Sequence, residues 1–327
     1  KMYFGKKLIT KKKIYSKIKF IAKKIIIILS NFFLYIFIIP ILVPIVLLIR
    51  LIKPIVHIRF RYISTQELGH FVDDASIILA ERCLANTKIK DCFWLQSKPS
   101  NKFFIKMIKR KFFIRWWVKY LFITNNLLPG GQSFVEKQSR EKQGSRDLDL
   151  ALYKTKNDKN AYFYFTEEEN EIGKKFLEKL GIKEGEKFVC LAVRDNSYKS
   201  KVWPDLDWSY HNHRNSDIDS YAKGSIELAN RGYWLLRMGK FVSKKFNCKH
   251  DRVIDYSSME SRSDFLDIWL MANCSFCVTT STGIDSVATA FRKPILYLNF
   301  LPIADIVSYA NTTTYLKNLK YKKGNKK

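Results

Sequence analysis

The sequence predicts an α/β protein built on parallel sheet, preceded by an apolar segment that meets a membrane. Three observations predict it. Strand-like and helix-like runs alternate through two stretches of the chain, the order that parallel sheets require. Residues 188–193, Phe-Val-Cys-Leu-Ala-Val, form an unbroken apolar run, the mark of a strand buried on both faces. Residues 25–49 hold no charged side chain.

At 327 residues the chain has room for two domains of ordinary size. With 47% hydrophobic and 27% charged residues it is not a disordered chain, and no short Gly or Leu period admits a collagen or solenoid. The net charge is +28, but residues 1–125 hold 25 basic and 5 acidic residues, so +20 of it sits in the first third. That concentration argues against a nucleic-acid binder, whose basic residues would spread over a folded surface. The chain starts at Lys1 and ends in a Lys-rich run over 317–327, which reads as a fragment at one end or both. Six scattered Cys suit a reducing compartment. Cys274 and Cys277 form a lone CxxC with no second pair at zinc spacing, so no metal is assigned to them.

The apolar segment 25–49 is long enough to cross a hydrocarbon core. Pro40 and Pro44 inside it predict a break or kink near Ile39. Lys11, Lys12, Lys13, Lys17, Lys19, Lys23 and Lys24 precede it, and Arg50, Lys53, Arg59 and Arg61 follow. A spanning helix keeps such clusters on one side. Basic flanks at both ends suit either a re-entrant hairpin with both ends cytoplasmic or a simple span. A second basic and aromatic stretch, 102–119, reads either as an amphipath on anionic headgroups with Trp at the interface or as a domain helix.

Beyond it, strands are expected at 57–63, 92–95 and 120–124, with helices at 68–83 and 101–118. Residues 129–160 are polar and read as a linker or an elaborated loop. Thr166 followed by Glu169 is a capping box that opens a helix ending at Gly181. Strands at 188–193, 233–237, 253–256, 276–279 and 295–298 then alternate with helices at 217–230, 264–272 and 283–291.

Ligands of open parallel sheets bind beyond the carboxyl ends of the strands. Four such ends carry suggestive residues. Arg194 and Asp195 follow the strand at 188–193, and Arg237 closes the strand at 233–237. Asp255 follows the short strand at 253. Thr279-Thr-Ser-Thr-Gly-Ile-Asp-Ser286 joins a strand to a helix, and its small residues allow amides to approach an anion. No P-loop and no GxGxxG after a strand are present, so neither a Walker site nor a nicotinamide cofactor is expected. His211, His213 and Arg214 lie in an aromatic loop suited to sugar and diphosphate contact, and no metal pattern completes the two His.

The runs Val193-Arg-Asp-Asn-Ser-Tyr198, Tyr210-His-Asn-His-Arg-Asn-Ser-Asp-Ile218, Gly232-Tyr-Trp-Leu-Leu-Arg-Met-Gly239, Ser263-Asp-Phe-Leu-Asp-Ile-Trp269, Ser281-Thr-Gly-Ile-Asp-Ser286 and Pro294-Ile-Leu-Tyr-Leu-Asn-Phe300 resemble a family of bacterial GT-B-type glycosyltransferases. That family is associated with surface polysaccharide synthesis and is distantly similar to heptosyltransferases and O-fucosyltransferases. The resemblance is dense over 186–303, and Gln66-Glu-Leu-Gly-His70 is similar to the family's first-strand turn. It implies two facing Rossmann-like domains. Residues 1–54 then hold the basic flanks and membrane segment, 55–127 an abbreviated acceptor domain, 128–165 a linker, 166–316 the donor domain and 317–327 a basic tail.

The resemblance further implies a metal-independent transferase with no cofactor beyond a nucleotide-sugar co-substrate. Ser281, Thr282 and Gly283 are expected to contact phosphate through amides and hydroxyls. Arg194, Arg237 and, in reserve, Arg214 are the diphosphate counter-charges, and Asp195 and His211 the candidate bases. Asp285 either touches ribose or base or caps the helix. The expected partners are a nucleotide-sugar donor, a lipid-linked or polysaccharide acceptor and the inner membrane, with the catalytic part on the cytoplasmic side and no nucleic acid. The alternative is a non-catalytic, membrane-associated nucleotide-sugar or glycan binder.

Overall fold

The computed structural model describes residues 29, 32–85, 88–96, 98–136, 150–155, 157, 161–307 and 309–319. A π-helical turn over Leu34–Ile38 runs into α1, Ile39–Leu51. β1 (His57–Ile63), α2 (Leu68–Leu84), β2 (Ile89–Leu95), α3 (Lys102–Ile108), β3 (Phe113–Ile114) and α4 (Val118–Leu127) follow. Next come α5 (Leu150–Lys154), α6 (Glu167–Lys179), β4 (Phe188–Ala192), α7 (Ser197–Val202), α8 (Ala222–Asn230) and β5 (Trp234–Arg237). The last elements are β6 (Val253–Ile254), α9 (Asp264–Asn273), β7 (Phe276–Thr279), α10 (Asp285–Ala290), β8 (Ile295–Phe300) and β9 (Thr312–Leu316).

The chain divides into two compact units. The first takes the described residues up to Arg61, with 88–92 and 115–136; the second takes those of 62–87, 93–114 and 137 onward.

The second unit is an α/β layer structure on a six-stranded sheet in the order β6-β5-β4-β7-β8-β9, every neighbouring pair parallel. Counted from β4, that is the doubly wound order 3-2-1-4-5-6, in which the winding reverses between β4 and β7 and opens a crevice there. The apolar run of β4 explains its central place. Phe188, Cys190 and Ala192 join the larger core, while Val189, Leu191 and Val193 join Ile218, Tyr221, Leu235 and Phe246 in a smaller one. Successive strand residues point to opposite faces, so only an apolar run can fill both.

Two glycines bring α2 to the crevice. A Cβ on Gly69 would stand 2.8 Å from the Cα of Gly283, so the backbones touch because Gly69 lacks one, while Gly283 supplies the positive φ of +88°. The Ser286 hydroxyl donates to Asp73 of α2 at 3.1 Å, fixing the approach. α6 is held on α9 in a similar way: a Cβ on Gly173 would fall 2.0 Å from the Trp269 ring, whose Nε1 donates to Asn170 at 3.1 Å. Both bonds of the capping box form, Glu169 N–H to Thr166 Oγ1 and Thr166 N–H to Glu169 Oε2. The thiols of Cys190, Cys274 and Cys277 are free and buried in this unit.

In the first unit α1 packs along α4 through Arg50, which donates to Asn125 Oδ1, Asn125 O, Leu128 O and Pro129 O. Arg59 joins Asp91 and Glu136 at 2.8 and 2.9 Å. In place of a break near Ile39 the chain stays helical, and its winding changes from π to α between Ile38 and Ile39, just before Pro40. Among the described residues no helix is long and apolar enough to cross a membrane. Residues 25–28, 30 and 31 of the apolar segment lie outside the described residues, as do 320–327 of the basic tail.

Two further expectations are corrected. Residues 120–124 are helical, inside α4, not a strand. The stretch 102–119 is not one amphipath: α3 stops at Ile108, with Phe104, Met107 and Ile108 buried, and Trp116 and Trp117 stand exposed before α4.

Candidate functional site

A cavity of about 430 Å³ opens at the winding reversal of the second unit. Its walls are the ends of β4 and β7 with the loops after them, the first turn of α2 (Leu68, Gly69, His70), and Met238 to Val242 beyond β5. The volume is of the size that small-molecule ligands fill.

The structure brings Arg194, Asp195, His211, Arg214, Ser281, Thr282, Gly283 and Asp285 to this cavity. Ser281, held at φ +62°, is the meeting point. Arg194 Nη1 lies 3.4 Å from its carbonyl oxygen and Arg214 Nη2 3.4 Å from its hydroxyl. The Arg194 amide donates to Thr280 Oγ1 at 2.7 Å, which ties the β4 loop to the β7 loop. Burial, and next the neighbouring Arg214 charge, push the Arg194 guanidinium down to about 10. Its buried Nε finds no hydrogen-bond partner.

The β7 loop does something other than the sequence suggested. The Asp285 carboxylate, 3% exposed, accepts from Gly283 N–H at 2.9 Å, Thr282 N–H at 3.3 Å and Thr279 Oγ1 at 3.2 Å. Two of the three amides expected to hold phosphate, those of Thr282 and Gly283, are therefore already engaged by the Asp285 carboxylate. Asp285 is the first residue of α10 and braces the loop before it; the helix start itself carries no side-chain cap. Thr282 Oγ1 remains buried without a partner.

Asp195 is likewise structural in its contacts. Its Oδ1 accepts from Ser197 N–H at 2.9 Å and its Oδ2 from Ser243 N–H at 2.8 Å. His211 lies in a helical turn over Ser209–Arg214 and stacks on Trp208, with ring centroids 6.2 Å apart. Burial, followed by the charges of Lys199, Arg194 and Arg214, pushes its imidazole down to about 4, so it is neutral at neutral pH.

Arg237 is not brought to this cavity. It is 1% exposed, and its Nη1 is engaged by Asp255 at 3.2 Å, Ser257 Oγ at 2.9 Å and the Lys244 carbonyl at 3.0 Å. The strand-end position was read correctly, but the side chain turns inward to the Asp255 carboxylate.

Sequence reasoning missed Lys199 and Glu67 as site residues, and placed Lys240 only in the run that follows the strand at 233–237. Lys199 Nζ sits 4.4 Å from the Trp208 ring and 3.8 Å from Glu67 Oε1, and burial, with Arg194 and Arg214 opposing Glu67, lowers its pKa. Lys199 lies one residue past the motif that ends at Tyr198, and Glu67 inside the Gln66–His70 turn, so a signal existed for both. Lys240 has its charge met by Asp264 at 2.9 Å and by the Ser100 carbonyl at 2.6 Å. Among the described residues no group of three His, Cys, Asp or Glu is placed to hold a metal ion.

The cavity is thus lined by Arg194, Arg214 and Lys199 at one end, two of them with lowered pKa because they are desolvated together. Crowded cations of this kind are suited to an anion with several oxygens, since a guanidinium fork matches phosphate geometry.

No protein-family model matches the chain, and no curated protein matches it. Solved structures similar to it include ADP-heptose LPS heptosyltransferase II of E. coli, at 11% identity over 79% of this chain and 90% of that one, TM-score 0.44. A glycosyl transferase of family 9 from Veillonella parvula is similar at 11% identity over 79% and 86%, TM-score 0.49. An E. coli heptosyltransferase with ADP-2-deoxy-2-fluoro heptose is similar at 11% identity over 79% and 92%, TM-score 0.37. These are proteins of the kind the motifs resemble.

Proposed function

We propose that this protein is a glycosyltransferase of GT-B type that moves a sugar from a nucleotide-sugar donor to a lipid-linked or surface-polysaccharide acceptor at the cytoplasmic face of the inner membrane. The observation that carries the reading is the convergence of Arg194 and Arg214 on Ser281 at the sheet's winding reversal, with Lys199 beside them. Leaving-group departure from such a donor develops charge on a diphosphate. Fixed cations in a partly desolvated cavity stabilise that charge without reorganising. The chain's own cations supply it in this proposal, with no metal and no cofactor beyond the co-substrate; activity retained in EDTA tests that point.

An inverting reaction also needs a base for the acceptor hydroxyl. Asp195, Asp267 and Asp285 line the cavity with their carboxylates engaged, Asp267 by Arg262 and by Tyr256 at 3.1 Å. Glu67, whose ion-pair partner Lys199 is 3.8 Å away, is better placed to accept a proton, with His211 second because its low pKa makes it a weak base.

The test is a nucleotide-sugar panel read by thermal shift, followed by turnover of a radiolabelled donor. One donor is expected to stabilise the protein, and Arg194→Ala is expected to abolish turnover with unchanged circular dichroism. Binding without turnover in the parent protein makes it a non-catalytic binder; stabilisation by no donor removes the reading.

A further inference from the structure

We infer that the first unit docks sideways on an anionic lipid surface through the outer face of α1, with Trp116 at the interface. This rests on the membrane part of the proposal above and not on its chemistry.

The helix α1 has two unlike faces. Ile39 and Val46 are buried and Arg50 is tied to Asn125, Leu128 and Pro129, so this side is committed to α4 and the turn after it. Ile41, Ile45, Leu48, Leu51 and Ile55 follow one another at spacings of three and four residues. The first four form one stripe on α1, 67%, 44%, 60% and 75% exposed, and Ile55, in the turn after the helix, is 70% exposed. A stripe of large aliphatic side chains open to water among the described residues marks a surface that something covers.

Three features identify the occupant as a bilayer with negative headgroups. The first is charge. Lys53, Lys88, Lys90, Arg115 and Lys119 are exposed on this unit, whereas its described acids, Asp91 and Glu136, are both paired with Arg59. A unit whose exposed charges are basic is attracted to anionic lipid. The second is Trp116, 74% exposed, with Trp117 next to it at 39%. Indole rings prefer the boundary between headgroup and hydrocarbon. The third is the asymmetry of α1. A helix held along one side by α4, which carries Lys119 and Asn125, can meet lipid on its other side only. A second copy of the chain is the poorer occupant, because an isologous pairing brings together two surfaces of the same basic unit, whose described acids are both already paired with Arg59.

The experiment is sedimentation of the full chain with vesicles of phosphatidylcholine alone or with about 30% phosphatidylglycerol. The variants are Leu48→Asn/Leu51→Asn/Ile55→Asn and Trp116→Ser, all at exposed positions, with circular dichroism as the check on folding. The parent is expected to partition onto the anionic vesicles at least about tenfold better than onto the neutral ones, the triple variant to lose about tenfold and Trp116→Ser about threefold. Brominated lipid is expected to quench tryptophan emission in the parent and less in Trp116→Ser. Equal binding by parent and triple variant overturns the inference, because then the Lys-rich start of the chain does the holding. So does a concentration-dependent dimer that shows no vesicle binding. Donor binding measured on the same variants separates the two claims: it stays at the parent's level if only the docking face is wrong, and it is missing from the parent if the transferase reading is wrong.

Discussion

The two loops that meet at the winding reversal of the second unit handle charge in opposite ways. The loop after β7 is self-contained: Asp285 takes two of its amides and the Thr279 hydroxyl, and leaves them turned inward. The loop after β4 and the turn beyond α7 do the reverse. With Lys199 of α7 they bring Arg194 and Arg214 toward one cavity, with Arg194 and Lys199 holding their charge against burial and each other. The lesson is that an anion here meets side-chain cations first, and that the serine- and threonine-rich loop acts as the rigid wall on which they rest. A loop with two of its amides engaged from within has less to offer a phosphate, the Thr282 hydroxyl being still unpartnered.

The largest expected effect breaks or confirms that contrast directly. Arg194→Ala should lower kcat/KM by about 10³-fold, the scale seen when one preorganised donor to a developing charge is removed. Ser281→Ala, which deletes only the hydroxyl met by Arg214, should lower it by no more than about tenfold. Steady-state kinetics on a donor found by the panel measures both. If the two losses are equal, or in reverse order, the wall and the cations have been assigned the wrong way round.

Next in size is the effect on the wall itself. Asp285→Ala leaves two amides and a buried hydroxyl without their acceptor, and the site is 3% exposed, so water does not replace it. A loss of about 2–4 kcal/mol in urea denaturation is expected. Asp285→Asn, which keeps one carbonyl acceptor, should recover about half of it. An unchanged unfolding midpoint in Asp285→Ala would return the amides of Thr282 and Gly283 to the role of an open anion site.

Much of this architecture was legible because it depends on local rules. The Thr166–Glu169 capping box, the apolar run of β4 and the alternating order of the second unit follow from residues near one another in sequence, and each is present. Residues 120–124, Tyr-Leu-Phe-Ile-Thr, have strand propensity but lie in α4, whose Leu121, Thr124 and Asn125 are buried, a tertiary preference that a five-residue window cannot carry. The site divides in the same way. Its position at two strand ends was readable, since that follows from topology. Whether a given side chain turns inward was not: Arg237 finds Asp255, eighteen residues on, and Asp285 folds back two residues onto Gly283. Such pairings are decided by backbone geometry in the loop, which residue type alone does not report.

The smallest expected effect is a titration at His211. Its imidazole, free in solution near 6.5, is held down to about 4 by burial and by Lys199, Arg194 and Arg214. With the folded pKa below the unfolded one, the unfolded chain binds the extra proton between the two values. The contribution to stability is therefore full above about pH 6.5 and is lost as pH falls toward about 4. A diphosphate placed among the three cations cancels the charges that hold the imidazole down, so donor binding should raise the His211 pKa and take up a proton. The sign follows: donor affinity strengthens as pH falls from 7 toward 5, by a few-fold, provided the protein stays folded. NMR titration of the five His residues with and without donor measures it directly. A His211 resonance that titrates identically in both samples would place the bound diphosphate away from the β4 loop, and the contrast between the two loops would then say nothing about catalysis.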